Sequence, residues 1–584
     1  MTDDSAGTGV RPGALALRAG MRVEARDASV LLSSAGRDAL LLSGVSPGLG
    51  ALLARLAETP VPVPTALAGL DPAGRRQLAQ LTRRLPMLLA NGVLFGDREM
   101  LRIEPRSPDA GYDPVEIGPD TPVRLSAFAY LHVRDGVLVL ESPLTAHRCL
   151  PVDPAARAVI TALDAPATAA GLACAGVPVP VVTEMLAHLA GAGFVDVGER
   201  VGPDVRFAAD ADEALCQWEF HDLLMHTRNR SGCHDEPSGG LFPFDGQIQP
   251  QPAVKPRPAG PAVELHRPTL AGLLEADPKL VTVMEARRSI RAYGTRPVTA
   301  HQLGEFLYRV ARIRATCDRR PPDIRYEISS RPYPGGGAAY ELELYLTVRR
   351  CEGIDPGIYY YHPADHRLYL VNPDPAALGA MIREASRAVG DGVEPDIAIT
   401  ITSRFQRLSW KYRSIAYAVT LKNVGVLYQS MYLVATAMGL APCALGNGNL
   451  VKASQILGLD SLRESSVGEF MLGSQPETAG SRPDGPPAAD WHPVNDPQWQ
   501  QQTQRRLSGR RRKPEGTVPR PGPAAPQVSE RLSRTTRAKQ GDRSAERHRE
   551  AGHDLTEAAK TRVTGGSDGK AKGDPGTTGR TGSQ

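Results

Sequence analysis

Residues 410–449 read WKYRSIAYAVTLKNVGVLYQSMYLVATAMGLAPCALGNGN. Between 414 and 439 the run is apolar almost all the way round a helix, broken only by Lys422, Asn423 and Gln429. Such a helix is buried on most sides, within a large core or between subunits. It starts beside Lys411 and Tyr412 and ends at Gly439, before Gly446-Asn447-Gly448-Asn449. Strand patterns precede it at 340–350 (YELELYLTVRR), 357–361, 367–371 and 395–402, with helical patterns at 270–288 and 299–315. Residues 264–475 therefore read as one α+β unit, a sheet flanked by helices.

Moving outward, 123–150 alternates like strands, with a hairpin turn at Asp135-Gly136. Helical patterns follow at 153–164 and 178–190, then Gly191 and Gly193 before FVDV. Residues 22–96 carry a weaker version of the same order, also closing with helix, glycine (Gly92) and apolar strand. Strands leading into three short helices and a closing strand predict tandem winged-helix-like modules at 14–103 and 120–200. A Pro/Asp/Gly joint at 104–121 separates them. Residues 201–263 form a connector whose end, IQPQPAVKPRPAGPAV at 248–263, holds five prolines and reads as stiff and polyproline-like. From 476 to 584 the chain has one aromatic pair of tryptophans near its start and then none, so it reads as a disordered tail.

The tail is basic, with 19 Lys+Arg against 9 Asp+Glu over 501–584, while residues 1–500 hold 49 against 55. The body is thus slightly acidic, which argues against a nucleic-acid-binding surface. The basic residues within 75–84 read as a solvated helix face. The chain has no uninterrupted apolar run of about 18 residues, so no membrane span is expected. Its N-terminus, MTDDSAGTGVRPG, is the reverse of a secretory signal. Seven widely separated cysteines (149, 174, 216, 233, 317, 351, 443) offer no disulfide framework. A cytoplasmic, thiol-reduced protein is expected.

Four stretches could carry chemistry. Arg287-Arg288-Ser289-Ile290-Arg291 places three guanidinium groups and a hydroxyl where they can grip a phosphate and ring carbonyls. Tyr333-Pro334-Gly335-Gly336-Gly337-Ala338 exposes backbone N–H groups and admits a planar ligand, or is a plain turn before a strand. Lys411 beside Tyr412 can supply a base and a proton carrier. Gly446-Asn447 is a second backbone cradle. A fifth cluster, His221, His226, Cys233, His234 and Asp235, raises metal coordination, but its spacing fits no closed tetrahedral site. No metal is expected there.

Taken in order, FHDLLMHTRNRSGCHDEPSGGLFPF (220–244), EARRSIRAY, RPYPGGGAAYELELYLTVRRCEGIDPGIYYYHP, the 410–449 stretch and VGEFMLG resemble the azoline dehydrogenases of the nitroreductase superfamily. These are the SagB/McbC type of thiazole/oxazole-modified peptide pathways, and the resemblance spans roughly 215–475. Residues 20–200 are similar in outline to the peptide-recognition winged helix found beside such enzymes. The resemblance implies a nitroreductase-like mixed sheet, an FMN cofactor shared at a homodimer interface, and oxidation of thiazolines or oxazolines to thiazoles or oxazoles. It implies flavin contacts by Arg287, Arg288, Ser289 and Arg291, by Pro334, Gly335, Gly336 and Gly337, and by Gly446 and Asn447. Lys411 and Tyr412 fall on the family's proton-handling pair, and Arg413 and Asn423 on positions that approach the partner's FMN. Gly335 departs from the pattern, since many relatives carry Ser there. The implied partners are a precursor peptide, with its leader on residues 120–200, and a separate cyclodehydratase, because no ATP-binding loop is present. Two alternatives stand beside this reading: a general FMN nitroreductase or quinone reductase using NAD(P)H, and a flavin-less peptide-binding scaffold.

Overall fold

A computed structural model describes residues 10–26, 29–34, 39–173, 176–317, 325–390, 392–476 and 498. Of the expected tail at 476–584 only Pro476 and Gln498 are among the described residues, and Cys174 also lies outside them.

The N-terminal 200 residues repeat one topology twice. Each copy runs strand, three-stranded meander, helix, short edge strand, two helices and two closing strands. In the first copy these are Val10–Leu17, the meander from Arg22 to Ser43, helix Pro47–Glu58, Val61–Pro62, helices Val63–Ala68 and Pro72–Arg84, then Leu89–Phe95 and Arg98–Pro105. The second runs Val123–Leu125, the meander from Tyr130 to Pro151, helix Pro154–Thr161, a bridge at Ala167, helices Ala169–Leu172 and Val179–Gly191, then Val195–Val201 and Asp204–Phe207. In both, the first strand lies between the short edge strand and the first closing strand. Local chemistry sets the helix starts: Ser46, Asp71 and Asp153 cap with their side chains, and a proline stands in each first turn. The hairpin turns at Asp135 and Gly136, both with positive φ, as the Asp-Gly pair requires. The joint at 104–121 does not part the copies, because strand Arg98–Pro105 pairs with His147–Pro151 and one seven-stranded sheet runs through both.

The second large sheet orders its strands Ala262–Glu264, Arg367–Asn372, Gly357–His362, Leu342–Val348, Ile397–Arg404, Glu464–Ser474 and Leu440–Leu445. The sheet is flanked by helices as expected, but it is not mixed: every neighbouring pair is antiparallel. Short hairpins join the strands 342–348, 357–362 and 367–372, and such connections impose antiparallel pairing. Strands 342–348, 357–362 and 397–404 are buried at every position, since helices cover both faces. The long helix Ala416–Ala437 buries Asn423, Val424, Leu427, Met431 and Ala435 against this sheet, while Tyr417 and Leu421 remain exposed. Within one chain, then, part of its surface stays uncovered.

The proline-rich connector is fastened along the sheet domain. Trp410 Nε1 donates to Ile248 O at 2.7 Å, and Arg407 donates to Gln251 O at 2.6 Å. Lys255 Nζ reaches Glu464 at 2.5 Å and the Tyr345 hydroxyl at 2.6 Å, between the Tyr345 and Tyr360 rings.

Two buried histidines make the fold acid-sensitive. Burial lowers the pKa of both His147 and His366 to about 4. The neutral His366 ring accepts from the Tyr361 hydroxyl (2.9 Å) and donates to His266 O (2.8 Å). Because the folded pKa lies below the unfolded value, the unfolded chain binds protons first. Stability is fully present above about pH 6.5 and is lost as pH falls toward 4. The melting temperature should decline across that window, and His147→Gln should flatten the decline; differential scanning calorimetry from pH 7 to 4 measures both.

Candidate active site

The Lys411–Tyr412 pair lies between a short helical turn, Gln406–Ser409, and the long helix Ala416–Ala437. The turn comes straight off buried strand Ile397–Arg404, so the pair is carried by the rigid sheet. Lys411 Nζ donates to the Tyr326 hydroxyl at 3.1 Å, and that hydroxyl donates to Gly337 O at 2.6 Å. Three ring faces surround Lys411 Nζ: Tyr412 at 5.0 Å, Tyr326 at 5.3 Å and Phe242 at 5.8 Å. These are distances at which the ring quadrupole attracts a cation. Burial pushes the Tyr326 hydroxyl above its ordinary pKa, with the Arg407 guanidinium opposing, so it stays a donor to Gly337.

The glycine loop closes on this pair. Gly337 has φ +59°, and a Cβ there would overlap both Lys411 Nζ and the Tyr412 hydroxyl. At Gly336 a Cβ would overlap Val419 of the long helix. Asn423 pins the loop: its Oδ1 accepts from Gly336 N at 3.2 Å, and its Nδ2 donates to both Glu341 oxygens at 2.9 and 3.2 Å. Burial pushes the Glu341 carboxyl upward, against the pull of the Asn423 amide. Asn423 is thus itself buried, its contacts in this chain taken by the loop and Glu341. The room beside Gly335 is filled by the Tyr340 ring, with carbons 3.0 Å from where a Cβ would stand, so a serine hydroxyl would need that ring to move.

The arginine motif assembles elsewhere on the same helix. Ser289 Oγ and the Tyr432 hydroxyl are 2.7 Å apart, and the Arg287 guanidinium lies 5.4 Å from the Tyr432 ring centre. Tyr432 accepts from Ala444 N at 2.8 Å, and Ile290 N donates to Pro442 O at 2.9 Å. These bonds seat residues 287–291 against strand Leu440–Leu445, whose end carries Gly446 and Asn447. The structure therefore brings the arginines to the late glycine loop, and Pro334–Gly337 to Lys411, Tyr412 and Asn423. It does not bring the two groups together within one chain. Tyr432 follows Asn423 by nine residues, about two and a half turns, so they occupy opposite faces of the helix.

Arg413 is exposed and pairs, with Tyr412, against Gly239–Gly240. The histidine and cysteine cluster does not converge on one point. Asp235 is buried among arginines, His234 hydrogen-bonds Arg228 O, and His221 stands exposed near Glu219 and Asp222. That exposed trio is the one group of potential metal ligands among the described residues. Tyr326 and Phe242 escaped the sequence reading as site residues. Phe242 lies in the quoted SGGLFPF string, whereas nothing about Tyr326 in isolation marks it.

Comparison with known proteins matches two stretches of the chain. Residues 123–235 match the cyanobactin oxidase ThcOx family, and residues 284–474 match the nitroreductase family. A protein of Methanocaldococcus jannaschii named as a nitroreductase, MJ1384, is 26% identical over 187 residues, covering 32% of this chain and 85% of that protein. The microcin B17-processing protein McbC of Escherichia coli is 32% identical over 117 residues, 19% of this chain and 42% of McbC. The match thus spans less than half of McbC. Among solved structures, the E. coli microcin synthetase McbBCD complex with truncated pro-MccB17 bound is similar at 19% identity and a TM-score of 0.27, covering 36% of this chain and 84% of the matched one. Among the described residues no helix is long and apolar enough to cross a membrane.

Gly337→Ala should cost roughly 1–2 kcal/mol for the left-handed backbone alone, and should also displace the Lys411 and Tyr412 head groups. Urea unfolding checks the stability, and a changed near-ultraviolet circular dichroism band from the Tyr326, Tyr412 and Trp410 rings reports the displacement.

Proposed function

We propose that this chain is an FMN-dependent azoline dehydrogenase, a reading supported by the match of residues 284–474 to the nitroreductase family, of residues 123–235 to the cyanobactin oxidase family, and by the similarity to McbC. Its substrate is a ribosomally made peptide whose thiazoline or oxazoline rings it converts to thiazoles or oxazoles. The observation that carries the reading is the closure of the Gly336–Gly337 loop on the Lys411–Tyr412 pair, two motifs 74 residues apart in sequence.

The residues present fit a flavin mononucleotide. Arg287 and Arg288 are exposed and have no carboxylate partner among the described residues, as a phosphate group requires. Ser289 and Arg291 extend that grip, and Gly446 and Asn447 border it. Gly335, Gly336 and Gly337 carry no side chains of their own toward a flat ring, while Tyr340, Val419, Lys411 and Tyr412 fill the side where their Cβ atoms would stand. When bound, FMN supplies a two-electron acceptor for hydride.

The remaining chemistry belongs to the chain. An azoline becomes aromatic by losing a hydride and a proton, and the proton comes from the carbon between the imine and the carbonyl. Lys411 Nζ receives that proton, with Tyr412 orienting or relaying it. Tyr326 holds Nζ against the glycine loop, and the ring faces of Tyr326, Tyr412 and Phe242 stabilise the ammonium that results.

A homodimer completes the site. The arginine group and the Lys-Tyr group face opposite sides of helix 416–437, so a second copy must bring one to the other. The surface for it is apolar: Tyr417 and Leu421 are exposed on that helix, as are Leu270, Leu274, Leu280 and Met284 on the two helices before the arginine motif. The second winged-helix copy takes the peptide leader as an added strand. In the first copy the outer closing strand, Arg98–Pro105, already accepts a neighbour, His147–Pro151. Its counterpart Asp204–Phe207 pairs on one side only among the described residues, leaving that edge for the leader. A separate cyclodehydratase forms the azolines.

Lys411→Ala should remain yellow while ring oxidation falls at least about a hundredfold, the ordinary scale of a lost general base. Mass spectrometry of a cyclised precursor, which loses about two mass units per ring oxidised, measures it, and full activity in this variant removes the assignment. Arg288→Ala should lose flavin, seen as a drop in absorbance after desalting. Leader binding to the full chain is read by fluorescence anisotropy, and no affinity would defeat the recognition role. NAD(P)H bleaching without any peptide would instead mark a general nitroreductase.

A further inference from the structure

The segment 235–242 joins the N-terminal modules to the Lys-Tyr pair, and both of its ends are fixed. At one end Asp235 is almost wholly buried. Its carboxylate pairs with Arg18, accepts both oxygens' worth of hydrogen bonds from Arg148 (2.5 and 2.6 Å), and lies 3.5 Å from Arg106 Nε. Arg18 comes from the first copy, Arg148 from the second and Arg106 from the joint between them, so one carboxylate fastens to both copies. Beside it Glu236 pairs with Arg134.

At the other end, Gly239–Gly240 pairs antiparallel with Tyr412–Arg413. The N–H groups of Leu241 and Phe242 both donate to Lys411 O at 3.0 Å, and Ser414 Oγ donates to Pro237 O at 3.4 Å. Phe242 then turns its ring toward Lys411 Nζ from a backbone at φ +51°. Four residues separate Asp235 from Gly240, too few to absorb slack.

We infer that Asp235 is a positioning residue: anchored to the recognition modules by three arginines, it holds Lys411 and Tyr412 in register through the strap 235–242. Where the modules sit thus sets where the proton-handling pair sits. The inference rests on the azoline-dehydrogenase reading for what the pair does, but not for where it is held. A strap of this kind gives a peptide held at the winged helix a fixed path to the ring that reacts.

The test uses two variants of the full-length, FMN-loaded protein. Asp235→Asn removes the anchoring charge; insertion of Gly-Gly between Pro237 and Ser238 keeps both anchors and breaks the register between them. In each, hydrogen–deuterium exchange should quicken in segments 239–242 and 410–414 while the rest of the sheet domain keeps its protection. With a cyclised precursor peptide, kcat should fall at least about tenfold with KM changed less than about twofold and flavin absorbance retained. A purely structural role would instead lower the melting temperature and flavin content together, with exchange quickened throughout. If Asp235→Asn does not fold, the insertion variant decides alone. Unchanged exchange at 410–414 in the insertion variant overturns the inference. A wild-type protein that oxidises no azoline overturns the functional reading, and the exchange result still decides the positioning.

Discussion

Gly337 is where the backbone of one motif meets the head groups of another with no room for a methyl group between them. Every large element bears on that contact. Strand 397–404 and the turn after it deliver Lys411 and Tyr412, and helix 416–437 supplies Asn423 to pin the loop from behind. Tyr326 ties loop carbonyl to lysine, and the strap from the N-terminal modules fixes the lysine's own carbonyl. For the proposed proton transfer a contact so tight is useful only if it is rigid, since that step requires positions held to fractions of an ångström. The glycines have the opposite requirement. They must be small and left-handed where they stand, which is why the loop depends on neighbours for its order.

The long helix is what supports the proposed second copy. Its composition is apolar nearly all round, yet Tyr417 and Leu421 on it stay exposed in the described chain. Exposed apolar surface of that kind calls for another surface. Two functional groups on opposite faces of one helix make the same demand from chemistry. Burial and site completion both support the proposed second copy.

Much of this was legible in the sequence where local signals agree. Strands 342–348, 357–362, 367–372 and 397–404 stand where the strand patterns at 340–350, 357–361, 367–371 and 395–402 placed them, and the Asp135-Gly136 hairpin follows from turn chemistry alone. The pattern at 270–288 misled, because one periodic run conceals two helices, Leu270–Ala276 and Leu280–Ala286. Pro278 divides them, lacking the N–H to continue and barring helical geometry in the residue before it. The connector misled differently. Five prolines do read as stiff, but nothing in them tells that Lys255 would find Glu464, 209 residues away. The same holds for Tyr326, whose partners Lys411 and Gly337 come together only through folding. Motif spacing shows which residues can act; long-range packing decides which of them meet.

The ionic cluster at Asp235 is the remaining problem of energetics. Arg106 and Arg148 are both held below their ordinary pKa, by burial first, so neither is comfortably placed. Glu104 and Glu141 stand among them at 3.4 to 3.9 Å and offset part of the charge. Burying that many ions is weak evidence for stability, since well-packed apolar side chains of similar volume often do as well or better. What apolar side chains could not do is specify direction. A carboxylate forked by guanidinium groups accepts few geometries, whereas a leucine in the same place would tolerate a slip of the strap. A one-residue slip would turn Tyr412 and Arg413 to opposite faces of their pairing with Gly239–Gly240. The cost of burying the cluster is therefore best understood as the cost of register, and register at this point is the position of Lys411.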